Sequence, residues 1–294
     1  MSARLLESDH LGVDRVIGAW ERAGVLVDPG PASTIETVLA PLGGEEPRAI
    51  LLTHVHLDHA GATGWLVRRY PDVPVFVHER GAPHLADPAR LLESARRLYG
   101  EDMNRLWGEV LPVPEANLTA LVGGERAEGM EVLATPGHAS HHVAYLDEAT
   151  GDAYVGDVAG VRIPPSERVW MPTPPPDIDV EAWTQSIELL ASREPATLRL
   201  THFGAVDEPA AHLDAAREEL AALAERARPR HRDSFLAGLE ERIDGEEVEV
   251  AKRVRTAMPP EQVWQGLERY WRKAERDCPR TRPGIVASDL SDSG

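Results

Sequence analysis

The chain has 294 residues and a mass of 32.2 kDa, which is enough for one large domain or for a domain with an appendage. Its formal net charge of -18 argues against a nucleic-acid-binding protein, because such a protein needs a basic surface. The sequence has no apolar run long enough for a transmembrane helix, and acidic residues interrupt its N-terminus where a signal peptide needs an apolar centre. We therefore expect a cytoplasmic protein with a small-molecule substrate and no membrane or nucleic-acid partner.

Apolar runs and turn signals in the first 80 residues predict strands and helices in alternation. The predicted elements are a strand over 15–20, a strand from 23 to the turn at 28–31, a short helix over 33–43, a buried strand over 49–56, a helix over 60–71 and a strand over 73–79. Ser33 is the expected N-cap of the short helix. This order of elements is typical of an α/β layered fold.

Residues 80–118 have a helical pattern rich in large side chains, which predicts a helical insertion. The elements predicted after it are strands over 129–138, 141–148 and 151–160, a proline-rich loop over 162–179, a helix over 180–192 and a strand over 197–204. Later segments are two amphipathic helices over 209–228 and 260–277, with a possible strand over 246–250. We therefore predict one α/β domain over 1–206 and a mostly helical extension over 207–294.

The most informative stretch is THVHLDHAG at residues 53–61, in which His54, His56, Asp58 and His59 directly follow an apolar run. Two histidines two positions apart at a strand end can converge on one ion. Asp58 and His59 follow on the turn into a helix, where they can face a second ion. A single histidine here would be ordinary, but three histidines and an aspartate at this spacing predict a metal site.

Three more metal-capable residues each follow an apolar strand. His138, Asp157 and His202 come after the stretches LATPG, AYVG and LRLT, and open α/β sheets place their sites at such strand ends. The expected ligand sets are His54, His56 and His138 for one ion, Asp58, His59 and His202 for the other, and Asp157 as a bridge between them. A cysteine-rich site is excluded because the chain has a single cysteine, Cys278.

In these motifs the chain resembles the metallo-β-lactamase fold superfamily, and its glyoxalase-II-like branch more than the true class B β-lactamases. The matching motifs are THVHLDHAG at 53–61, TPGH at 135–138, GD at 156–157 and THFG at 201–204, in the order that the family has. The resemblance implies a four-layer αββα sandwich with a dinuclear metal site at one edge of its two sheets. It also implies hydrolysis by a metal-bound hydroxide, for which Asp58 would steer the nucleophile or pass a proton to the leaving group.

The ligand pattern also separates branches of the family. His56 stands where flavodiiron oxygen reductases have a glutamate, and Asp157 stands where class B β-lactamases usually have a cysteine. The resemblance therefore implies hydrolysis of a small ester, thioester or lactone. A mononuclear iron enzyme similar to the persulfide dioxygenases is the alternative, and a phosphodiesterase or nuclease comes third. We expect two divalent metal ions as cofactors, zinc before iron or manganese.

Five residues are weaker candidates for substrate contacts. Tyr99 and Trp107 belong to one helical stripe, which either packs in a core or forms an apolar wall over the site. Arg162, Trp170 and Met171 lie in the long loop after the bridging aspartate, and long loops at the edge of a site often supply substrate contacts.

Two residues are candidates for contacts behind the metal ligands. Asp28 could accept a hydrogen bond from a ligand imidazole, or it could cap the turn in which it lies. His141 and His142 are adjacent, and the alternation of a strand allows only one of them to face the site. We assign this position to His141.

The remaining histidines have no partner at metal-ligand spacing and are interpreted as ordinary core or surface residues. They are His10, His78, His84, His212 and His231. Near the C-terminus, Trp264, Tyr270 and Trp271 could cover the site, pack in the core or form the contact of a homodimer.

Overall fold

A computed structural model of the chain describes residues 2–229 and 231–277. Within these residues, twelve strands form two six-stranded sheets and eleven α-helices flank them. The layers follow the order helix, sheet, sheet, helix, which confirms the four-layer αββα architecture. Cys278 lies outside the described residues.

The first sheet has its strands side by side in chain order. They are β1 (Arg4–Glu7), β2 (Gly18–Arg22), β3 (Val25–Val27), β4 (Ala49–Leu51), β5 (Val75–His78) and β6 (Leu118–Leu121). The pairs β1–β2 and β2–β3 are antiparallel, and the pairs from β3 to β6 are parallel. The helices that follow β3, β4 and β5 provide the crossovers that parallel pairing requires.

The second sheet also keeps chain order. Its strands are β7 (Arg126–Ala127), β8 (Met130–Ala134), β9 (Val143–Asp147), β10 (Asp152–Gly156), β11 (Thr197–Leu200) and β12 (Gly204–Val206). All neighbouring pairs are antiparallel except β10 and β11. The chain between those two strands is long and contains a helix, so they can run parallel.

The helices fall into three groups. The first group packs on the outer face of the first sheet and contains α1 (Ile35–Leu39), α2 (Leu57–Ala60), α3 (Thr63–Arg69) and α4 (Ala82–Ala86). The insertion continues with α5 (Ala89–Tyr99) and α6 (Met103–Trp107). The last group packs on the second sheet and contains α7 (Val180–Ser192), α8 (Pro209–Ala227), α9 (Arg232–Asp244), α10 (Val248–Ala257) and α11 (Pro260–Asp277).

The alternation of side chains along the strands separates the three apolar cores. On β3, Val25 and Val27 face the core between the two sheets, whereas Leu26 faces the helices outside the first sheet. Each of these side chains is fully buried, and burial of one stabilises the fold by about 1.5–3 kcal/mol. A strand with apolar residues on both faces is what a sheet covered on both sides requires.

The C-terminal helices share one core with the second sheet. Leu213 and Leu220 of α8 belong to the same buried cluster as Leu198 and Leu200 of β11. The bulky residues near the C-terminus also pack there: Trp264 and Tyr270 are buried in this cluster, and the Trp271 indole donates to the Ala224 carbonyl oxygen. These aromatic side chains therefore pack in or against the core of the chain.

Helix α11 is fixed on the proline-rich loop. The Thr173 hydroxyl donates to the carbonyl oxygen of Val263 at 3.0 Å, and the Arg269 side chain donates to the carbonyl oxygen of Pro176 at 3.0 Å. Gly266 lies between these contacts, where the helix comes closest to the loop. The C-terminal helices thus set the position of a loop that follows Asp157.

Two local predictions were wrong. The strand predicted over 246–250 does not form: residues 246 and 247 precede α10 and residues 248–250 begin it, because the apolar residues from Val250 onwards recur at helical spacing towards the core. The Ser33 hydroxyl does not cap α1 but donates to the Leu106 carbonyl oxygen in the insertion. The helix predicted over 60–71 is observed as α3, Thr63–Arg69, and a separate single turn, α2, precedes it and contains Asp58.

No helix in the described part of the chain combines the length and the apolar composition needed to cross a bilayer.

The contact between α11 and the proline-rich loop makes a stability prediction. A methyl group added at Gly266 would lie 1.9 Å from the Thr173 carbonyl oxygen, so Gly266→Ala is expected to lower the free energy of unfolding by about 1–3 kcal/mol. Gly238 in α9 is the matched control, because nothing lies within 4 Å of a methyl group added there. Gly238→Ala is expected to raise stability by up to about 1 kcal/mol. Urea unfolding measures both values, and equal stability of the two variants would contradict the close packing.

Candidate functional site

Seven histidine and aspartate side chains meet at one edge of the two sheets. Two of them follow β4, two lie in α2, and the other three follow β8, β10 and β11. They are His54, His56, Asp58, His59, His138, Asp157 and His202. Because β8, β10 and β11 run in the same direction, their carboxyl ends bring residues that are distant in sequence to one place.

The first group contains three histidines. Nδ1 of His56 lies 2.9 Å from Nε2 of His54 and 3.0 Å from Nε2 of His138. The three nitrogens lie within 4.8 Å of one another, and His54 and His138 are buried. Three converging imidazole nitrogens are a common ligand set for a divalent metal ion.

The second group contains Asp58, His59 and His202, and Asp157 lies between the two groups. Nε2 of His202 is 3.4 Å from Oδ2 of Asp58. Asp157 directs Oδ1 to Nε2 of His59, at 3.1 Å, and Oδ2 to Nε2 of His138, at 3.3 Å. A single carboxylate thus faces both groups.

Four of the imidazoles are held from behind through their other ring nitrogen, which fixes the direction of the nitrogen that faces the centre. The contacts are His54 Nδ1 with Thr53 Oγ1 (3.1 Å), His59 Nδ1 with Asp28 Oδ2 (2.8 Å), His138 Nδ1 with the Pro172 carbonyl oxygen (3.0 Å) and His202 Nδ1 with the Val16 carbonyl oxygen (2.6 Å). A carbonyl or carboxylate oxygen only accepts, so His59, His138 and His202 carry a proton on Nδ1. In the neutral form of each ring, the Nε2 lone pair is then available to a ligand at the centre.

Asp28 is a common acceptor behind the site. Its buried carboxylate accepts hydrogen bonds from Thr53 N (2.8 Å), Thr53 Oγ1 (2.6 Å), His59 Nδ1 (2.8 Å) and Thr201 Oγ1 (3.2 Å). Thr53 follows a strand of the first sheet and Thr201 follows a strand of the second. The structure therefore places Asp28 against a site imidazole and between the two sheets.

Burial and charge divide the histidines of the site. Burial lowers the pKa of His54 well below 6.5 and the pKa of His138 to about 4, so both rings are neutral at pH 7, the form that binds metals. Burial acts in the same direction on His59 and His202 and is the largest single effect, but the Asp157 and Asp58 carboxylates together outweigh it and raise their pKa. A divalent cation that binds to these two rings would displace the protons that they carry.

Two atoms at the centre fit a metal ion. Among the described residues, Nε2 of His59 and Oδ1 of Asp157 are buried and have no hydrogen-bond partner. Such atoms normally find one, so they point to a bound species between them. Imidazole nitrogens and carboxylate oxygens are donors that zinc, iron and manganese all accept. The seven residues therefore suit divalent metal binding.

His142, and not His141, supports Asp157 from behind. Nε2 of His142 accepts a hydrogen bond from Asp157 N at 3.2 Å, and its Nδ1 lies 2.8 Å from Thr135 Oγ1. The His141 ring lies beside that of His54, with centroids 6.3 Å apart, and its Nδ1 has no partner in the described part of the chain. Both histidines precede β9 and lie in a turn, so strand alternation does not govern them.

A cavity of about 310 Å³ opens onto the paired groups. His56, Asp58, Asp157 and His202 line one side of it. The rest of its lining comes from a loop near the N-terminus, from α5 and α6, from the proline-rich loop and from the junction of α10 and α11. The volume lies in the range of small-molecule sites.

Tyr99 and Trp107 line this cavity and also pack against each other, with ring centroids 5.1 Å apart. The Tyr99 hydroxyl donates to Oε1 of Gln262 at 3.3 Å, which joins the insertion to α11. The stripe that contains them is interrupted, because α5 ends at Tyr99 and α6 begins at Met103. The insertion therefore supplies both a small core and a wall of the cavity.

Arg162, Trp170 and Met171 lie away from the cavity. Trp170 is 1% exposed and is held between the guanidinium groups of Arg168 and Arg242, which lie 5.3 and 5.2 Å from its ring. Met171 is fully buried in the core under the second sheet, and the Arg162 guanidinium faces a glutamate of its own loop at 3.9 Å. The expectation that these three contact substrate is corrected, because this part of the loop turns inwards to meet the C-terminal helices.

His10 is a cavity residue that the sequence analysis missed. It is 3% exposed, lines the cavity and stacks on Trp107, with ring centroids 5.3 Å apart. A lone histidine near the N-terminus has no spacing signal in the sequence. Its position becomes evident only when the fold brings it to the insertion.

Comparison with known proteins gives a family match. The sequence model of the Metallo-beta-lactamase superfamily matches residues 21–202. A hydroxyacylglutathione hydrolase of Hamiltonella defensa is 33% identical over 121 residues, which are 41% of this chain and 37% of that protein. The chain thus matches well under half the length of that relative.

Two other proteins match over longer stretches. The metallo-beta-lactamase fold-containing protein ST1585 of Sulfurisphaera tokodaii is 30% identical over 200 residues, which are 63% of this chain and 70% of that protein. The crystal structure of the metallo-beta-lactamase family protein TTHA1429 of Thermus thermophilus superposes with a TM-score of 0.63, at 22% identity, over 93% of this chain and 94% of that chain. At this identity the superposition speaks for the fold alone, and it includes part of the C-terminal helices.

The contacts of Asp28 make a prediction about metal binding. Asp28→Asn removes the charge and turns one acceptor oxygen into an amide donor, so it cannot keep all four hydrogen bonds. Affinity for zinc is expected to fall by about 10–100-fold, measured by competition with a chromogenic chelator. Asp233→Asn, at an exposed pair with Arg232, is the control and is expected to match the wild type. Unchanged zinc affinity in Asp28→Asn would contradict the anchoring role.

Proposed function

Because the chain belongs to the metallo-beta-lactamase superfamily, we propose that it is a metal-dependent hydrolase of a small, uncharged ester, thioester or lactone. The observation that carries this proposal is the pair of His/Asp groups, joined by Asp157, at the side of one apolar cavity. The hydroxyacylglutathione hydrolases support the reaction class, since their name describes hydrolysis of an acyl compound. They match only part of their length, so the substrate has to be argued from this chain.

We propose two divalent ions, with zinc as the first choice and iron or manganese as alternatives. Bound divalent ions supply Lewis acidity and lower the pKa of a coordinated water towards neutrality. His54, His56 and His138 would hold one ion, and Asp58, His59 and His202 would hold the other, with Asp157 shared. The neutral state of His54 and His138 favours this role, because no proton has to leave before they bind.

Asp58 is the site carboxylate with most access to the cavity. Its side chain is 21% exposed, whereas that of Asp157 is 4% exposed. The neighbouring His59 and His202 hold the pKa of Asp58 well below its usual range, against the effect of burial, so it is ionised at pH 7. It can therefore orient a water molecule or pass a proton to a leaving group that lies in the cavity.

The lining of the cavity favours a substrate without charge. Arg255 is the single arginine or lysine among the described residues that line it. Its guanidinium donates to Glu240 at 2.8 Å and also pairs with Asp244, so its charge is already compensated. Glutathione carries two carboxylates and an ammonium group, which would lose hydration here without partners. We propose that glutathione thioesters are poor substrates.

Two other reaction classes remain as outcomes of the test. An iron-dependent persulfide oxygenase would need one iron per chain and would consume oxygen. A phosphodiesterase or nuclease would need basic side chains besides the metal ions to bind the neighbouring phosphates of its substrate, and the described lining of the cavity supplies none beyond the compensated Arg255.

A substrate panel tests the proposed function. Protein of measured metal content is assayed with aliphatic p-nitrophenyl esters, aliphatic thioesters, alkyl lactones, S-lactoylglutathione and bis-p-nitrophenyl phosphate. We expect kcat/KM for an uncharged aliphatic thioester to exceed that for S-lactoylglutathione by at least about tenfold, because unpaired charges lose hydration in the cavity. A chelator should abolish the activity and zinc should restore it. Metal-replete protein that hydrolyses no acyl compound would overturn the proposal.

Asp58 has its own test. Asp58→Asn is expected to lower kcat by about 100-fold or more, since the amide neither carries the charge nor accepts a proton. Metal content is measured in the same samples, so that loss of an ion is separated from loss of the carboxylate. Asp102→Asn, an exposed residue of the insertion, is the matched control. Full rate together with full metal occupancy in Asp58→Asn would show that the carboxylate has no catalytic role.

A further inference from the structure

Two residues that line the cavity each carry a buried polar atom without a hydrogen-bond partner, and both lie outside the paired His/Asp groups. The atoms are Nδ1 of His10 and Nε1 of Trp107, and neither has a partner in the described part of the chain. The two residues are 3% and 7% exposed, and both line the cavity. Native structures satisfy nearly all buried polar groups, so two unsatisfied nitrogens in one cavity point to a ligand.

The two rings form a single rigid wall. The centroids of the His10 and Trp107 rings are 5.3 Å apart and their planes differ by 13°, so the rings are stacked. The Tyr99 ring also packs against Trp107, in an edge-to-face arrangement. His10 is flanked by Asp9 and Leu11, whose φ angles of 50° and 57° are unusual for residues with a side chain. Backbone strain of this kind persists mainly where the surrounding structure needs it, often at functional sites. The chain therefore holds His10 in place at some conformational cost.

The chemistry of the two rings selects the ligand. The Trp107 indole can only donate a hydrogen bond. Burial lowers the pKa of His10, although the nearby Asp58 opposes this, so the imidazole is neutral at pH 7 and offers one donor and one acceptor. The cavity has no uncompensated arginine or lysine among its described lining residues. A neutral oxygen group satisfies these rings, whereas a carboxylate would lose its hydration without a counter-charge.

We propose that His10 and Trp107 form a polar subsite that binds an uncharged oxygen-bearing group, such as a hydroxyl or an amide, on the acyl chain of the substrate. This rests on the proposed function, which places an acyl chain in the cavity. Leu91, Leu98 and Leu106 line the same space, so the oxygen is carried by a chain that is otherwise apolar. The subsite thereby narrows the substrate to acyl compounds with a polar group near the scissile bond.

The test compares two substrates that differ in one oxygen, the hexanoyl and 3-hydroxyhexanoyl thioesters of N-acetylcysteamine. The wild type is expected to prefer the hydroxylated compound in kcat/KM by at least about tenfold, the effect of a buried hydrogen bond. His10→Phe keeps a ring for stacking on Trp107 but removes both nitrogens, and we expect it to reduce this preference to about onefold. His10→Asn, which can still donate and accept, should restore part of the preference. Trp107→Phe should weaken it as well.

Matched controls separate a structural effect from loss of the subsite. His78→Phe changes another buried histidine, one that does not line the cavity, and Trp65→Phe changes an indole in a different core. Both are expected to keep the wild-type preference. A variant that merely disturbs folding would lower kcat/KM for both thioesters alike. Equal losses for both compounds in His10→Phe, or a wild type without preference, would overturn the subsite.

A binding measurement keeps this inference separate from the proposed function. If metal-replete wild type hydrolyses no ester, thioester or lactone, the proposed function fails, and the subsite is then tested by calorimetry with the S-hexyl and S-(3-hydroxyhexyl) thioethers of N-acetylcysteamine. Tighter binding of the hydroxylated thioether by at least about tenfold, lost in His10→Phe, would support the subsite without any turnover. Equal affinities for the two thioethers would overturn it.

Discussion

The buried carboxylate of Asp28 is the interaction on which the site depends. A carboxylate at 1% exposure loses its hydration, which costs several kcal/mol unless hydrogen bonds replace it. Four donors do so, two from Thr53 after the first sheet, one from Thr201 after the second, and one from the His59 imidazole. The two sheet edges are therefore fixed to each other by the same group that orients a site imidazole. Relative movement of the sheets would leave a buried charge without donors, so the seven side chains at this edge stay close together.

The walls of the cavity depend on parts of the chain outside the region that matches the family. That region ends at residue 202, whereas His10 precedes its start and the α10–α11 junction follows its end. An ion pair of 2.7 Å between Arg253 of α10 and Asp14 joins the N-terminal loop to the C-terminal helices. The Tyr99–Gln262 hydrogen bond joins the insertion to α11. The matched region thus holds the groups suited to metals, while segments outside it help to close the space above them, which is why the fold alone does not identify a substrate.

The sequence predicted best those features that depend on local chemistry. Histidines and aspartates at strand ends are identified by residue type and by the apolar run before them, so the layers and the convergence of the seven residues could both be anticipated. Features that depend on long-range packing could not. Trp170 lies in a loop that turns inwards because it packs against the C-terminal helices. His142 contacts Asp157 because it lies in a turn before β9, and the apolar pattern around it does not predict that turn. His10 carries no spacing signal at all, since its partner Trp107 lies on a different segment of the cavity wall.

The two sides of the cavity differ in charge, and this difference limits which substrates the site can distinguish. On one side, Asp58 and Asp157 carry negative charge that divalent cations would compensate. On the other side, the lining is mostly apolar and its polar groups are neutral, apart from the one arginine, which is already paired. An acyl substrate of the proposed kind would therefore meet strong electrostatics only at the bond beside the His/Asp groups, while the rest of the molecule would leave water for a mostly apolar surface. Neutral hydrogen-bonding groups are therefore the features of this wall that can distinguish one substrate from another. A site whose buried groups hydrogen-bond a substrate oxygen discriminates strongly against a ligand without that oxygen, whereas an apolar wall discriminates only weakly.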